Sequence, residues 1–400
     1  MKVLQLCNKP PYPPVDGGTL AMNSITQGLL HAGCEVKVLT VVTDKHPLDI
    51  DALPEDYRKA TRIEGVYIDL GIKAIPAALT ALCGESYHVK RYMSDAFAKK
   101  LREILEQEEF DIVHIESIFL TPYVPLIRKH SQAKIILRAH NVEHLIWRRV
   151  AQSTRNPLKR SYLKHLSLTL RAYELEHLND YDGVVCITRN DADYFKQNGL
   201  RRPVVAIPFG MGIPEVTETL DNTEELSLYH IGAMDWMPNQ ESIAWLLNEV
   251  WPEVHRQVPQ AHLYLAGRKM PERWMKAKIE GVSVVGEVDD AMQFIADKQI
   301  NIVPLLSGSG IRVKIIEAMS AGKVVITTTV GAQGIDYTDG ANLLIADNPT
   351  DFAQQVRRCL DDADFRHSVG RAAIDLIKEH YDEHKLTTEL MQFYNKRLGK

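Results

Sequence analysis

Arg312, Lys314 and Glu317 form a set that could do chemistry together. They follow a glycine-rich turn, Ser307 to Gly310, within the stretch PLLSGSGIRVKIIEAMSAGKVVITTTVGAQG that runs from Pro304 to Gly334. The run INIVPLL, Ile300 to Leu306, is short, apolar and β-branched, so it predicts a buried parallel strand feeding that turn. A helix is expected directly afterwards, from Ile311 to Ala321. On such a helix Gly310, Lys314, Glu317 and Ala321 share one face, while Ile311, Ile315, Ala318 and Met319 supply the core face. The first-turn N–H groups of a helix have no intrahelical partners, and phosphate oxygens satisfy them. Cations in the first turn oppose the helix dipole unless an anion sits there. The chemistry this suits is capture of a diphosphate, with Glu317 accepting hydrogen bonds from vicinal hydroxyls such as those of a ribose. A Lys314–Glu317 helix pair beside an ordinary tight turn is the plainer alternative.

A second polar cluster, RAHNVEHLIW, follows the predicted strand Lys134 to Leu137 and holds Arg138, His140, Asn141, Glu143 and His144. Polar groups packed after a buried strand must find partners or ligands. Their spacing does not suit a metal site. Gly17 and Gly18 lie beyond the first strand, Lys2 to Cys7, where ligands of open α/β sheets bind; an ordinary glycine-rich helix start is the alternative. No G-x-G-x-x-G follows that strand, which disfavours a dinucleotide-dependent oxidoreductase.

The stretch from Pro304 to Gly334 resembles the nucleotide-sugar motif of the family 4 glycosyltransferases of GT-B fold. The likeness rests on the glycine-rich turn, the EAM tripeptide Glu317 to Met319, Gly322, the strand Val324 to Thr328 and the turn Gly331 to Gly334. The pattern R-x-K-x-x-E-A-M, met by Arg312, Lys314, Glu317, Ala318 and Met319, is similar to that of a bacterial polysaccharide-assembly subgroup. The resemblance implies an α/β chain of two doubly wound Rossmann-like domains facing a central cleft. It places the acceptor-side domain at 1–205 with the C-terminal helix 382–400, and the nucleotide-sugar domain at 206–381. It implies a ribose contact for Glu317, and a place in the donor site for Gly17, Gly18, Gly232, Gly310 and Ile311. Ser309 stands where many members carry a glutamate that touches the donor sugar, which leaves the sugar open. The HN-x-E signature puts His140 against the donor sugar, supported by Asn141 and Glu143. Many relatives also place an arginine and a lysine near Gly232 to Gln240, where this chain has Asp235. Stabilising the departing diphosphate then falls to Arg312 and Lys314. Arg268, after the strand His262 to Ala266, is either a further donor contact or a surface arginine. Val284 to Val288 and Asp289 fall where the family holds the base through backbone groups.

Four hundred residues at 45% hydrophobic and 25% charged suit two ordinary cores better than one. Strands and helices alternate throughout, which argues for parallel sheets wrapped by helices. Strands are expected at Glu35 to Val41, Val66 to Leu70, Asp111 to Ile115, Gly183 to Ile187 and Leu226 to Ile231, and Arg201 to Asn222 reads as the connection, with Gly210 and Gly212 as hinge candidates. A last helix, Glu383 to Arg397, is expected to return to the first domain. Cys7, Cys34, Cys83, Cys186 and Cys359 are odd in number and scattered, and read as thiols in a reducing compartment. The short apolar run at the N-terminus and the absence of a spanning stretch suggest the cytoplasm.

The net charge of -5 gives no reason to expect nucleic acid as a partner. From His144 to Tyr173, however, the chain carries seven basic residues and no acidic one. Leu158, Tyr162, Leu166, Thr169 and Tyr173 recur there at helical spacing, predicting one amphipathic basic helix. Arg148, Arg149, Arg155, Lys159, Arg160 and Lys164 then form either a solvated face or a contact with anionic lipid or a lipid-linked acceptor at the inner membrane surface. The expected function is transfer of a sugar from a nucleotide-sugar donor to a glycan or lipid-linked acceptor in bacterial surface polysaccharide or glycolipid synthesis, with retention implied by the resemblance. No metal or other cofactor is expected, since no D-x-D stands at a strand end. A sugar-nucleotide epimerase and an inactive sugar-nucleotide-binding subunit are the alternatives.

Overall fold

Strand β1, Lys2–Cys7, shows how the first sheet is built. Its side chains alternate between two apolar clusters, with Leu4 and Leu6 packed on one face and Val3 and Cys7 on the other. Only a strand covered on both sides needs to be apolar at every position. Gln5 is the exception, fully buried at the centre of the strand. In this computed structural model, residues 1–71, 84–154, 156–211, 224–308 and 310–399 are described. The chain forms two compact units, Met1–Met211 with Glu383–Lys400, and Gly212–Asp382.

The first unit holds a parallel sheet in the order β3-β2-β1-β4-β5-β6-β7. Its other strands are β2 Glu35–Val42, β3 Glu64–Tyr67, β4 Ile112–Glu116, β5 Lys134–Ala139, β6 Gly183–Cys186 and β7 Val204–Ala206. Helices Gly17–His31 and Glu383–Leu398 cover the Val3 face, where Met22, Leu29, Leu390 and Tyr394 join the core. Close approach explains two glycines here. A Cβ on Gly183 would fall 2.7 Å from the Phe393 ring, and one on Gly210 would fall 2.7 Å from the Glu383 backbone. Gly212, the other hinge candidate, lies outside the described residues, as does Cys83.

The second unit repeats the plan in the order β10-β9-β8-β11-β12-β13. Here β8 is Ser227–Ile231, β9 His262–Ala266, β10 Val282–Gly286, β11 Ile300–Val303, β12 Val324–Thr327 and β13 Leu344–Ile345. In each sheet the order reverses once, between β1 and β4 and between β8 and β11. Ligands of such sheets bind at the carboxyl ends of the strands beside that reversal. Among the described residues no helix is long and apolar enough to cross a membrane.

Several expectations needed correcting. The strand expected at Val66 to Leu70 lies at Glu64–Tyr67, and β7 occupies part of the segment read as a bare connection. Of the segment Val284 to Asp289, the first three residues close β10, which ends at Gly286 with φ +81°. The single basic helix is two helices, Glu143–Ser153 and Pro157–Glu176. Asn156 accepts the Lys159 N–H as an N-cap and Pro157 takes the first helical position, so the chain restarts there. The buried face of the second helix is consequently Leu163, Leu166 and Leu170, while Leu158 is 83% exposed.

Candidate functional site

Beyond the carboxyl ends of β8 and β11, two turns converge on Lys314. The helix expected from Ile311 begins instead at Val313, so Gly310 and Ile311 precede it and do not share its faces. Arg312 is its N-cap residue, in extended conformation. Lys314 Nζ donates to Asn239 Oδ1 at 2.8 Å and lies 3.3 Å from His230 Nε2. Asn239 presents its oxygen because its amide nitrogen donates to the Ala233 carbonyl at 2.7 Å. The buried His230 donates Nδ1–H to the Ile302 carbonyl at 2.7 Å, which leaves Nε2 as a lone pair facing the ammonium. Burial first, and the Lys314 charge second, hold the His230 imidazole well below its usual range, so it is neutral.

Gly232, directly after β8, is glycine for a steric reason: a Cβ there would stand 2.6 Å from Lys314 Nζ and 2.9 Å from Asn239 Nδ2. Burial and the neighbouring Arg312 charge pull Lys314 down to about 7, against the opposing charge of Glu317. Its two hydrogen-bond partners are uncharged, and among the described residues no carboxylate forms an ion pair with it. Glu317 is itself pushed above the usual carboxylate range by burial.

Arg312 is buried and works within the turn. Its Nη1 donates to the Gly310 carbonyl at 2.8 Å, and its guanidinium lies 5.6 Å from the centroid of the Trp236 ring. Gly308, at φ +127°, leaves this room, since a Cβ would fall 2.8 Å from Arg312 Nη2. Arg268 is exposed on the turn after β9, whose backbone carbonyl accepts from Met234 N–H at 2.9 Å. Ser309 lies outside the described residues.

The first unit brings its candidates to β1, β4 and β5. Gly17 and Gly18 open their helix behind an Asp16–Thr19 capping box, and Asp16 accepts two hydrogen bonds from Lys9 Nζ, at 2.7 and 2.6 Å. His140, just past β5, has its Nε2 2.7 Å from Glu116 Oε2. Burial holds His140 below its usual range, opposed by the Glu116 hydrogen bond and charge. His144, by contrast, is turned away from His140 to Glu174 and Tyr194 in the helical layer. The Glu174 carboxylate also accepts the N–H groups of Glu143 and His144, capping the helix from Glu143. Burial, then the Glu174 charge, push the Glu143 carboxyl up to about 8.

Arg148, Arg149, Lys159, Arg160 and Lys164 are exposed on the two helices, and Arg155 lies outside the described residues. Sequence reasoning missed Glu116, His114, His230 and Asn239. The signal was there for three of them: a charged or imidazole side chain inside an otherwise apolar strand, as in IVHIE and SLYHI.

Residues 15–211 match a family model described as Glycosyltransferase Family 4, and residues 225–362 match one described as Glycosyl transferases group 1. A protein of Klebsiella pneumoniae known as an uncharacterized 44.6 kDa protein in the cps region is 24% identical over 404 residues, covering 98% of this chain and 99% of its own. Among solved structures, Anabaena HepE with UDP and glucose superposes at a TM-score of 0.67 with 14% identity, over 98% of this chain and 99% of that one. Sucrose-phosphate synthase of Thermosynechococcus elongatus does so at 0.69 with 15% identity, over 99% of each chain. With two Rossmann-like units and both halves matched, the chain belongs to the group 1 and family 4 glycosyltransferases and has their GT-B fold.

Proposed function

We propose that this glycosyltransferase moves a sugar from a nucleotide-sugar donor to a glycan or lipid-linked acceptor in surface polysaccharide synthesis. The observation that carries the donor reading is Lys314, a buried cation held by neutral Asn239 and His230 beside the Gly232 turn. A fixed ammonium in a site of low dielectric meets the charge that builds on a departing diphosphate without reorganising. Glu317, one turn further along the helix, is assigned to the ribose hydroxyls, and His140 to the donor sugar. Arg312, bonded to the Gly310 carbonyl, is assigned to support the phosphate side of this site. Transfer proceeds in this reading without a metal, and the family resemblance assigns it retention of anomeric configuration. The Anabaena structure holds UDP and glucose, so UDP-glucose is the first donor to test here. The relative from a cps region supports the polysaccharide context.

The exposed basic face of the helices from Glu143 to Glu176 is assigned to the acceptor side, against anionic lipid. Leu158 and Tyr162, one turn apart and exposed among Lys159, Arg160 and Lys164, support that contact. Calorimetric titration with UDP and UDP-sugars, in EDTA, tests the donor reading. Micromolar binding lost in Lys314→Met supports it; equal binding by both proteins, or none by the wild type, overturns it.

A further inference from the structure

The first unit contains a buried charge network that the donor reading leaves unused. On β1, β4 and β5, Gln5, His114, Glu116 and Arg138 are all fully buried and lie on the sheet face covered by helices Gly17–His31 and Glu383–Leu398. Glu116 is its centre. Its Oε1 accepts from Gln5 Nε2 at 2.9 Å and stands 3.2 Å from His114 Nε2, while Oε2 faces His140 Nε2 at 2.7 Å and Arg138 Nε at 4.0 Å. Gln5 is in turn fixed by Thr26, whose hydroxyl donates to Gln5 Oε1 at 2.7 Å. Burial raises the Glu116 carboxyl, yet the charges of His114 and Arg138 with the hydrogen bonds of both histidines hold it well below the usual range.

Ionised, Glu116 has no proton to give, so His140 must donate from Nε2. The neutral imidazole then carries its lone pair on Nδ1. The other groups electrostatically coupled to this pair are Arg138 on β5, Lys9 on the loop after β1, and Cys7 and Tyr394, which carry protons at neutral pH. Tyr394, from the C-terminal helix, shares a hydrogen bond with His114 Nδ1. Burial raises the Tyr394 hydroxyl well above its usual range, so it keeps its proton and adds no second anion beside Glu116.

We propose that Glu116 is the positioning residue of His140, holding it as the Nε2–H tautomer so that Nδ1 accepts a hydroxyl proton of the donor sugar. This rests on the assignment of His140 to the donor sugar, but the tautomer itself does not. A carboxylate so placed fixes both the ring's rotation and the atom it presents. Only in this form can Nδ1 accept from a sugar hydroxyl. A protonated His140 has no acceptor, and the opposite tautomer presents an N–H where the lone pair should be.

Long-range 1H–15N correlation spectra of histidine-labelled protein, without ligand, test this, with the His140 signals assigned by their loss in His140→Gln. The wild type is expected to show the Nε2–H pattern. Glu116→Gln removes the anion, and the pH at which His140 titrates is expected to fall by about 1–3 units or the ring to change tautomer. Unchanged tautomer and titration in Glu116→Gln would overturn the proposal whatever the enzyme transfers. In transfer assays with UDP-glucose, Glu116→Gln should lower kcat more than tenfold while the KM for donor changes less than twofold. Equal falls in kcat and in folded fraction would mark a structural role only. Should Glu116→Gln not fold, Glu116→Asp keeps the charge but withdraws the oxygen, and a mixture of tautomers is then expected; a retained single Nε2–H form would count against the role. If the wild type neither binds nor turns over any sugar nucleotide, the donor reading fails while the tautomer result still stands.

Discussion

His140 and Lys314 are both held by buried neighbours, yet the neighbours differ in one respect. His140 rests on Glu116, an anion already surrounded by Arg138, His114 and Gln5. Lys314 rests on Asn239 and a neutral His230, with Glu317 acting on it by charge alone, so among the described residues no carboxylate pairs with it directly. The first arrangement pairs its anion within the unit and, as proposed, orients a ring. The second is incomplete, and the proposed diphosphate would complete it. The depressed Lys314 is the physical trace of that incompleteness, since burial of an uncompensated ammonium favours its neutral form.

The sharpest way to break the comparison is to remove each charge and measure stability. Glu116→Ala should leave the buried Arg138 guanidinium without its anion and His140 without its acceptor, and cost about 3–5 kcal/mol, the usual consequence of breaking a buried pair. For a unit of this size that is roughly a 10 °C fall in Tm, read by calorimetry. Lys314→Met should do the opposite. Lys314 has a folded pKa of about 7 against about 10.4 unfolded, so the unfolded state binds more protons between those values and stability rises with pH across that window. The burden is fully present below pH 7, and the stabilisation by Lys314→Met should be largest there and vanish by about pH 10.5. The same variant should lose about 1.5–3 kcal/mol of UDP binding, roughly tenfold to more than a hundredfold in Kd, as for a charge-assisted hydrogen bond.

A smaller effect follows from the same cation. Nucleotide binding should require protonated Lys314, so UDP affinity should hold below pH 7 and weaken towards tenfold per unit above it. Titrations at pH 6.5, 7.5 and 8.5 in buffers of different ionisation enthalpy would show proton uptake on binding at the two higher values. A flat profile would mean that Arg312 or backbone groups carry the phosphates, and would dissolve the contrast between the two halves.

How far the sequence revealed these two halves depended on what each is made of. Strand β1, the glycine turn and the EAM helix are local patterns, in which apolar runs and turn residues dictate backbone, and they stood where expected to within a few residues. Glu116 belongs to β4 and His140 follows β5, and only strand pairing in register brings those neighbours together. His230 and Asn239 are likewise joined to Lys314 across 84 and 75 residues. The basic helix failed for a local reason instead. Its charge was read correctly, but the Asn156–Pro157 restart shifted the helical phase and turned Leu158 from core to solvent.

That shift supplies the smallest prediction. A continuous helix would have hidden Leu158 and Tyr162 and left only charge on the surface, whereas the broken one exposes both beside Lys159, Arg160 and Lys164. Charge alone contributes about 1 kcal/mol per basic residue near an anionic bilayer and is screened by salt. Inserted apolar groups add a part that salt does not remove. Vesicles with anionic lipid should therefore pull down the wild type with a salt-resistant remainder at 0.5 M NaCl. Lys159→Ser should weaken binding about fivefold at low salt and leave the remainder, while Leu158→Ser should abolish the remainder and change low-salt binding less. Equal pull-down by neutral vesicles would remove the electrostatic part of this contact. Binding that vanishes with salt in the wild type would remove the apolar part, leaving Leu158 as a residue exposed by the restart of its helix and by nothing else.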